Sequence, residues 1–311
     1  MLPIRSLGAA LAGAACAVVV VSLLDRRPAE PPAPPPPAAE AAVAPANTAF
    51  APPDESAIPA GPFGEMVRYG RDLFLHTEQL RGTWTENGMD CVNCHLDAGR
   101  LANAAPMWAS WTMYPAYRSK TQKVDTMAER IQGCFLYSMN GKAPPVGSKE
   151  LAGLMSYIYW LSSDAPTGVE LEGRGFAALP PPAQGVDHAR GEAVYEAKCA
   201  VCHGAEGEGK VAEGSYVFPP LWGSDSYNWG AGMHRIDTAA SFIKHNMPLG
   251  QGGSLTDQEA WDVATFVNSH ERPPDPRDAG NRAATDAAFH DENCRYGDEV
   301  DGRVLAGVRG G

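Results

Sequence analysis

An all-α fold of two tandem helical modules is predicted from three features of the chain. The segments "CVNCH" (Cys91–His95) and "CAVCH" (Cys199–His203) repeat one short pattern. Each copy follows an amphipathic stretch, "GRDLFLHT" from Gly70 and "GEAVYEAKC" from Gly191. Each also precedes a second candidate helix, over residues 148–161 and 254–267. No strand-rich stretch appears anywhere. In the last of these helices Ala260, Val263, Ala264 and Val267 recur at helical spacing, and Thr256 with Glu259 forms a capping-box pattern at its start.

The chain has 311 residues, enough for two domains of ordinary size. Its net charge of −12 argues against a nucleic-acid partner and against a broadly anionic one. Residues 7–24 are a mostly apolar run ending at Asp25-Arg26-Arg27, at the border between a signal h-region and a spanning helix. Residues 1–27 are therefore read as a signal anchor or signal peptide, with Cys16 a small residue inside the apolar run. Residues 28–61 are rich in proline and alanine and form an extended tether that cannot bury a core. An exported, periplasmic protein held at the inner membrane by its N-terminal helix is the expectation.

Cys-x-x-Cys-His is the attachment sequence for haem c. Two thiols three positions apart on a helical turn reach the two vinyl groups of one porphyrin, and the following histidine comes to lie beneath the iron. Cys91, Cys94 and His95 thus bind one haem, and Cys199, Cys202 and His203 a second. With these motifs in view, "GEAVYEAKCAVCHGAEGEG" resembles a small class I cytochrome c domain. The expected layout is a first domain over 62–165, a Gly/Pro-rich linker over 166–185, a second domain over 186–275 and a disordered tail over 276–311.

A haem iron takes a further axial ligand. In the second domain Met247 of "IKHNMPLG" is the candidate, ahead of Met233 and His245. The interval from His203 to Met247 equals that from His95 to Met139, so spacing alone points to Met139 in the first domain. Cys134 of "RIQGCFLYSMNGK" would then be a small buried apolar residue, as most free cysteines are. Charge points differently. Arg118, Lys120, Lys123, Arg130 and Lys142 stand against Asp125 and Glu129, a local excess of positive charge in an acidic chain. Such a cluster favours a thiolate and attracts a small dianion. Spacing and charge leave Cys134 and Met139 both open.

The run from "CVNCHLDAGRLANAAP" through "GCFLYSMNGKAPP" to "SHERPPDPR", within residues 62–277, resembles the thiosulfate dehydrogenases, di-haem enzymes that join two thiosulfates into tetrathionate. The resemblance implies that Cys134 ligates haem 1 opposite His95, that Ser138 is the active-site serine, and that Arg118, Arg130 and Lys142 line the pocket. It implies electron transfer to haem 2, bound by His203 and Met247, and on to a soluble cytochrome c or terminal oxidase. Some members carry a lysine directly before the haem-2 methionine; here that position is Asn246, and the nearby lysine is Lys244. The competing reading is a membrane-tethered electron carrier with two His/Met haems and no substrate. Cys294, in the tail, is read as a spare thiol.

Overall fold

A computed structural model describes residues 49–307. The expected signal anchor or signal peptide, Cys16 and most of the tether lie outside the described residues. Among the described residues no helix is long and apolar enough to cross a membrane.

The first half runs α1 (Gly61–Leu75), a short turn α2 (Leu96–Gly99), a hairpin of β1 (Ala116–Arg118) and β2 (Lys123–Asp125), then α3 (Met127–Tyr137) and α4 (Lys149–Leu161). The second half repeats the plan with α5 (His188–Lys198), a turn α6 (Ala200–His203), a hairpin of β3 (Lys210–Ala212) and β4 (Ser215–Phe218), then α7 (Ile236–Asn246) and α8 (Asp257–Val267). The described strands pair only as two-stranded antiparallel hairpins, so helices carry the architecture.

Side-chain chemistry fixes where these helices begin. Thr126 and Glu129 close a capping box on α3, Ser148 caps α4, and Asp187 caps α5. The box expected at Thr256 forms: Glu259 N–H donates to Thr256 Oγ1 at 3.1 Å, and Thr256 N–H donates to Glu259 Oε2 at 2.7 Å. Each satisfies backbone donors that a helix start leaves free.

In each half the first and last helices cross through a glycine. A Cβ on Gly70 would lie 1.9 Å from the Gly153 carbonyl oxygen, and one on Gly191 would lie 2.1 Å from that of Asp262. The two backbones approach so closely that only hydrogen fits between them. Around the first crossing, Val67, Leu73, Phe74, Leu151, Leu154, Tyr157 and Ile158 form a core with Ile131 and Phe135 of α3. Tyr195, Trp222, Val263, Phe266 and Val267 fill the second.

The two halves share material. Tyr227 and Ala231 belong to the core of the first half. Buried Asn228 donates from Nδ2 to the Leu136 carbonyl at 2.8 Å and from its backbone N–H to that of Tyr137 at 3.2 Å. Asn87 Nδ2 bridges the Ser138 and Ser226 carbonyls at 2.9 and 3.0 Å. The described residues accordingly fall in one compact unit. On the surface Arg81 adds an ion pair to Asp225 across the same seam.

Residues 276–307 are not the disordered tail expected from composition. They form α9 (Arg282–Phe289) and a hairpin of β5 (Glu299–Val300) and β6 (Arg303–Val304). Cys294, Tyr296 and Leu305 pack on Trp229, which is fully buried. A few large side chains on a platform supplied by the second half suffice to order a polar segment.

Asn228→Ala takes the side-chain donor from the Leu136 carbonyl and the acceptor from Gly230 N–H, while its backbone N–H still serves Tyr137. It is expected to lower the unfolding free energy of the haem-loaded protein by about 1–3 kcal/mol in urea titrations. Arg81→Ala, at the exposed pair, is expected to cost less than about 1 kcal/mol.

Candidate functional site

Both Cys-x-x-Cys-His segments sit on a single helical turn after the first helix of their module. In the first, Asp90 and Asn93 form a capping box around Cys91–Asn93, and Thr77 Oγ1 accepts from Cys91 N–H at 3.1 Å. His95 Nδ1 lies 2.6 Å from the Ala105 carbonyl oxygen, and His203 Nδ1 lies 2.9 Å from that of Pro219. A carbonyl can only accept, so each Nδ1 carries the proton and each Nε2 presents a lone pair. Burial pushes His95 down to about 4 and lowers His203, so both rings are neutral, as metal ligation requires.

A cavity of about 370 Å³ opens over the first motif. Cys91, Cys94 and His95 form part of its wall, together with apolar Phe74, Met107, Leu154 and Ile158. Burial raises the Cys91 and Cys94 thiols to about 12 and neither is in a disulfide. Two unpaired neutral thiols and one bare imidazole nitrogen facing an apolar hollow fit a covalently held haem. In the second module Cys199 packs against the core beside Val194, Ala200, Leu221 and Ile243, and burial raises its thiol to about 11.

Cationic groups also reach the first cavity. Arg118 reaches it from β1 and Arg130 from α3, with Cys134 one turn further along the same helix. Arg130 Nη1 donates to Cys134 Sγ at 2.8 Å, and the Cys134 sulfur is the first cause that holds the guanidinium charged. Ser138, at the end of α3, also lines the cavity. Met139 lines it too, nearly fully buried. Lys142 does not: its side chain is 73% exposed and lies 4.0 Å from Glu86. The chain turns outward after α3, with Asn140 in the left-handed conformation, and carries Lys142 away from the pocket.

The two modules diverge at one position of α3. The interval that relates Cys91 to Cys199 also relates Met139 to Met247 and Cys134 to Phe242. Met139 and Met247 each follow the equivalent helix, α3 or α7. Phe242 is buried, whereas its counterpart Cys134 faces the cavity. Met233, considered for the second haem, instead lines the first cavity. Asn246 turns its Nδ2 back to the Phe242 carbonyl at 3.0 Å, and Lys244 is held by the Leu255 carbonyl and Asp257 at 2.6 and 3.0 Å.

Several groups in or beside the pocket escaped sequence reasoning. Arg174, from the segment read as a linker, lines the cavity and donates from Nη1 to the Ala109 carbonyl at 3.2 Å. That segment is fastened down, since Asn103 and Ala105 donate backbone N–H groups to Gly173 and Gly175, both at 2.7 Å. Tyr114 lines the wall beside Arg130. Lys120, already counted in the basic cluster of the sequence, donates to the Gly230 carbonyl at 2.7 Å and lies 5.0 Å from the Tyr137 ring centre.

Burial, reinforced by Arg130, Arg277 and Arg118, pushes Lys120 down to about 7 from 10.5. Above pH 7 the folded protein loses this proton while the unfolded chain keeps it up to about 10.5, so stability rises with pH across that window. The slope is at most about 1.4 kcal/mol per pH unit. Thermal unfolding of wild type and Lys120→Met between pH 6.5 and 9 is expected to show this increment in wild type alone.

Comparison with known proteins agrees with the two-module layout. Residues 78–167 match the family model "SoxA/TsdA, cytochrome c domain", and residues 186–267 match "Cytochrome C oxidase, cbb3-type, subunit III". The thiosulfate dehydrogenase of Stutzerimonas stutzeri (strain A1501) is 53% identical over 259 residues, 82% of this chain and 84% of that protein. That of Thiomonas intermedia (strain K12) is 54% identical over 260 residues, 83% of each chain. The solved structure of thiosulfate dehydrogenase (TsdBA) from Marichromatium purpuratum superposes with a TM-score of 0.80 at 54% identity. The match covers 83% of this chain and spans 58% of that longer one. Two covalently bound haem c groups are the cofactors. With half of its residues identical across most of its length, the chain belongs to the thiosulfate dehydrogenase family.

Proposed function

We propose that this protein joins two thiosulfate dianions through a new sulfur–sulfur bond to give tetrathionate, releasing two electrons. The two haems, when bound, supply one-electron acceptor centres through which those electrons leave to a soluble cytochrome c or terminal oxidase. The observation that carries this reading is the composition of one cavity. Three guanidinium groups, Arg118, Arg130 and Arg174, stand in it with the Cys134 sulfur and the first haem-attachment motif. Bringing two dianions together is opposed by their mutual repulsion, which grows in a low-dielectric pocket. Fixed cations aimed at the sulfonate oxygens remove that repulsion without reorganising when the reaction occurs. Arginine suits the task, since it stays charged when buried and presents paired donors to an oxyanion.

In this reading Cys134 and His95 would hold the first iron, and Arg130 positions the Cys134 sulfur through the 2.8 Å hydrogen bond. Ser138 supplies a hydroxyl to a bound sulfonate. Met139 supports the core beneath the pocket, and Met247 with His203 holds the second iron. A methionine ligand there would raise the potential of that iron. Lys142 has no part, because it points to solvent. Covalent haem attachment also supports a periplasmic location.

Thiosulfate-dependent reduction of the haem-loaded protein, with tetrathionate measured, tests the assignment. Cys134→Ala is expected to lose at least about 100-fold in kcat/KM. Arg174→Gln is expected to lose about 10- to 100-fold, and Lys142→Ala to stay within about twofold. No thiosulfate-dependent reduction in either wild type or Cys134→Ala, with methionine-type haem spectra in both, would instead identify an electron carrier with two His/Met haems.

A further inference from the structure

Away from both haem motifs, three metal-ligating side chains meet in the interior. His234 stands on the short turn Gly232–His234 before α7, His290 follows α9, and Cys294 precedes β5. His234 Nδ1 is 3.0 Å from Cys294 Sγ, and His290 Nδ1 is 3.3 Å from the same sulfur. The three donor atoms lie within 4.8 Å of one another. His234 and Cys294 are 4% and 8% exposed, and the His290 side chain is 0% exposed. Trp229 and Tyr296 close the surroundings, with the Tyr296 ring stacked 4.2 Å from that of His290.

We propose that His234, His290 and Cys294 bind one Zn²⁺ ion. The set of two imidazoles and one thiolate matches the borderline softness of zinc, which takes nitrogen and sulfur ligands tetrahedrally. Zinc–nitrogen and zinc–sulfur bonds of about 2.0 and 2.3 Å place nitrogen and sulfur ligand atoms about 3.5 Å apart, so the two nitrogen–sulfur distances of 3.0 and 3.3 Å need open by only a few tenths of an ångström. A water completes the fourth position.

The outer contacts are those of a metal-ligating histidine. Nε2 of His290 lies 3.2 Å from Asp275 Oδ2, a charge contact that favours the tautomer with its proton on Nε2 and Nδ1 bare toward the sulfur. Asp275 is itself gripped by Arg277, whose Nε is 2.9 Å from Oδ1. Tyr296 N–H points at the Cys294 sulfur at 3.3 Å, a donor that suits a thiolate. Binding displaces the Cys294 proton to solvent; no electron is exchanged. The ion would staple residues 276–307 to the turn that carries Met233, a wall residue of the haem-1 cavity.

The test uses the full chain with both haems attached, produced in zinc-supplemented medium and purified without chelator. Mass-spectrometric metal analysis is expected to give about one zinc for every two irons, and zinc-edge X-ray absorption to show one sulfur neighbour at about 2.3 Å. Cys294→Ala and His290→Gln are each expected to keep two irons and to lose the zinc. Asp275→Asn should retain it about 10- to 100-fold less tightly in chelator competition. If Cys294→Ala does not accumulate, His290→Gln and the wild-type absorption spectrum decide the matter. Wild type without zinc, copper in its place, no sulfur neighbour, or zinc that survives both ligand substitutions would each overturn the proposal.

Discussion

The end of α3 is the point on which the rest of this protein depends. A helix leaves its last carbonyls without partners, and buried polar groups left that way are costly. Here the Leu136 and Tyr137 carbonyls are satisfied by Asn228, and that of Ser138 by Asn87. Asn228 comes from the other half of the chain. The helix that bears Arg130, Cys134 and Ser138 is therefore finished only when the second module docks. Tyr227 and Ala231, flanking the same asparagine, then complete the wall of the first cavity.

Docking also explains how duplicated modules take different tasks. Crossing glycines, helix caps and haem-motif turns are kept in both halves. At the position where α7 buries Phe242, α3 offers a sulfur held by an arginine. The cationic lining is built around that exchange from three separate pieces of chain: the β1 hairpin, α3 and the connector after α4. Apolar packing fixes the scaffold, and a small number of charged side chains change its chemistry.

Most of the scaffold was legible in the sequence because its signals are local. Helical spacing, the Thr256–Glu259 box and the Cys-x-x-Cys-His turns each lie within a few residues, and the structure has them where they were expected. The pocket was legible only in part. Arg118, Arg130, Cys134 and Ser138 converge, but Lys142, chosen by nearness in sequence, is turned outward by the bend at Asn140. Arg174 carried no signal, because its position depends on backbone pairing between the connector and residues 103–105. The last segment misled for a related reason. Its polar composition hides the few residues, Cys294, Tyr296 and Leu305, that find Trp229 far away in the chain.

The fastened connector has a consequence for how such proteins can change. Modules joined by a slack tether can be swapped, spaced or recombined freely, since the tether contributes only reach. Here the joint is itself part of the pocket, and a deletion or insertion before Arg174 would move a charge that the cavity needs. The two modules are therefore coupled through their joint as well as through their interface. New electron-accepting partners can be added at either end of the chain more readily than between its halves.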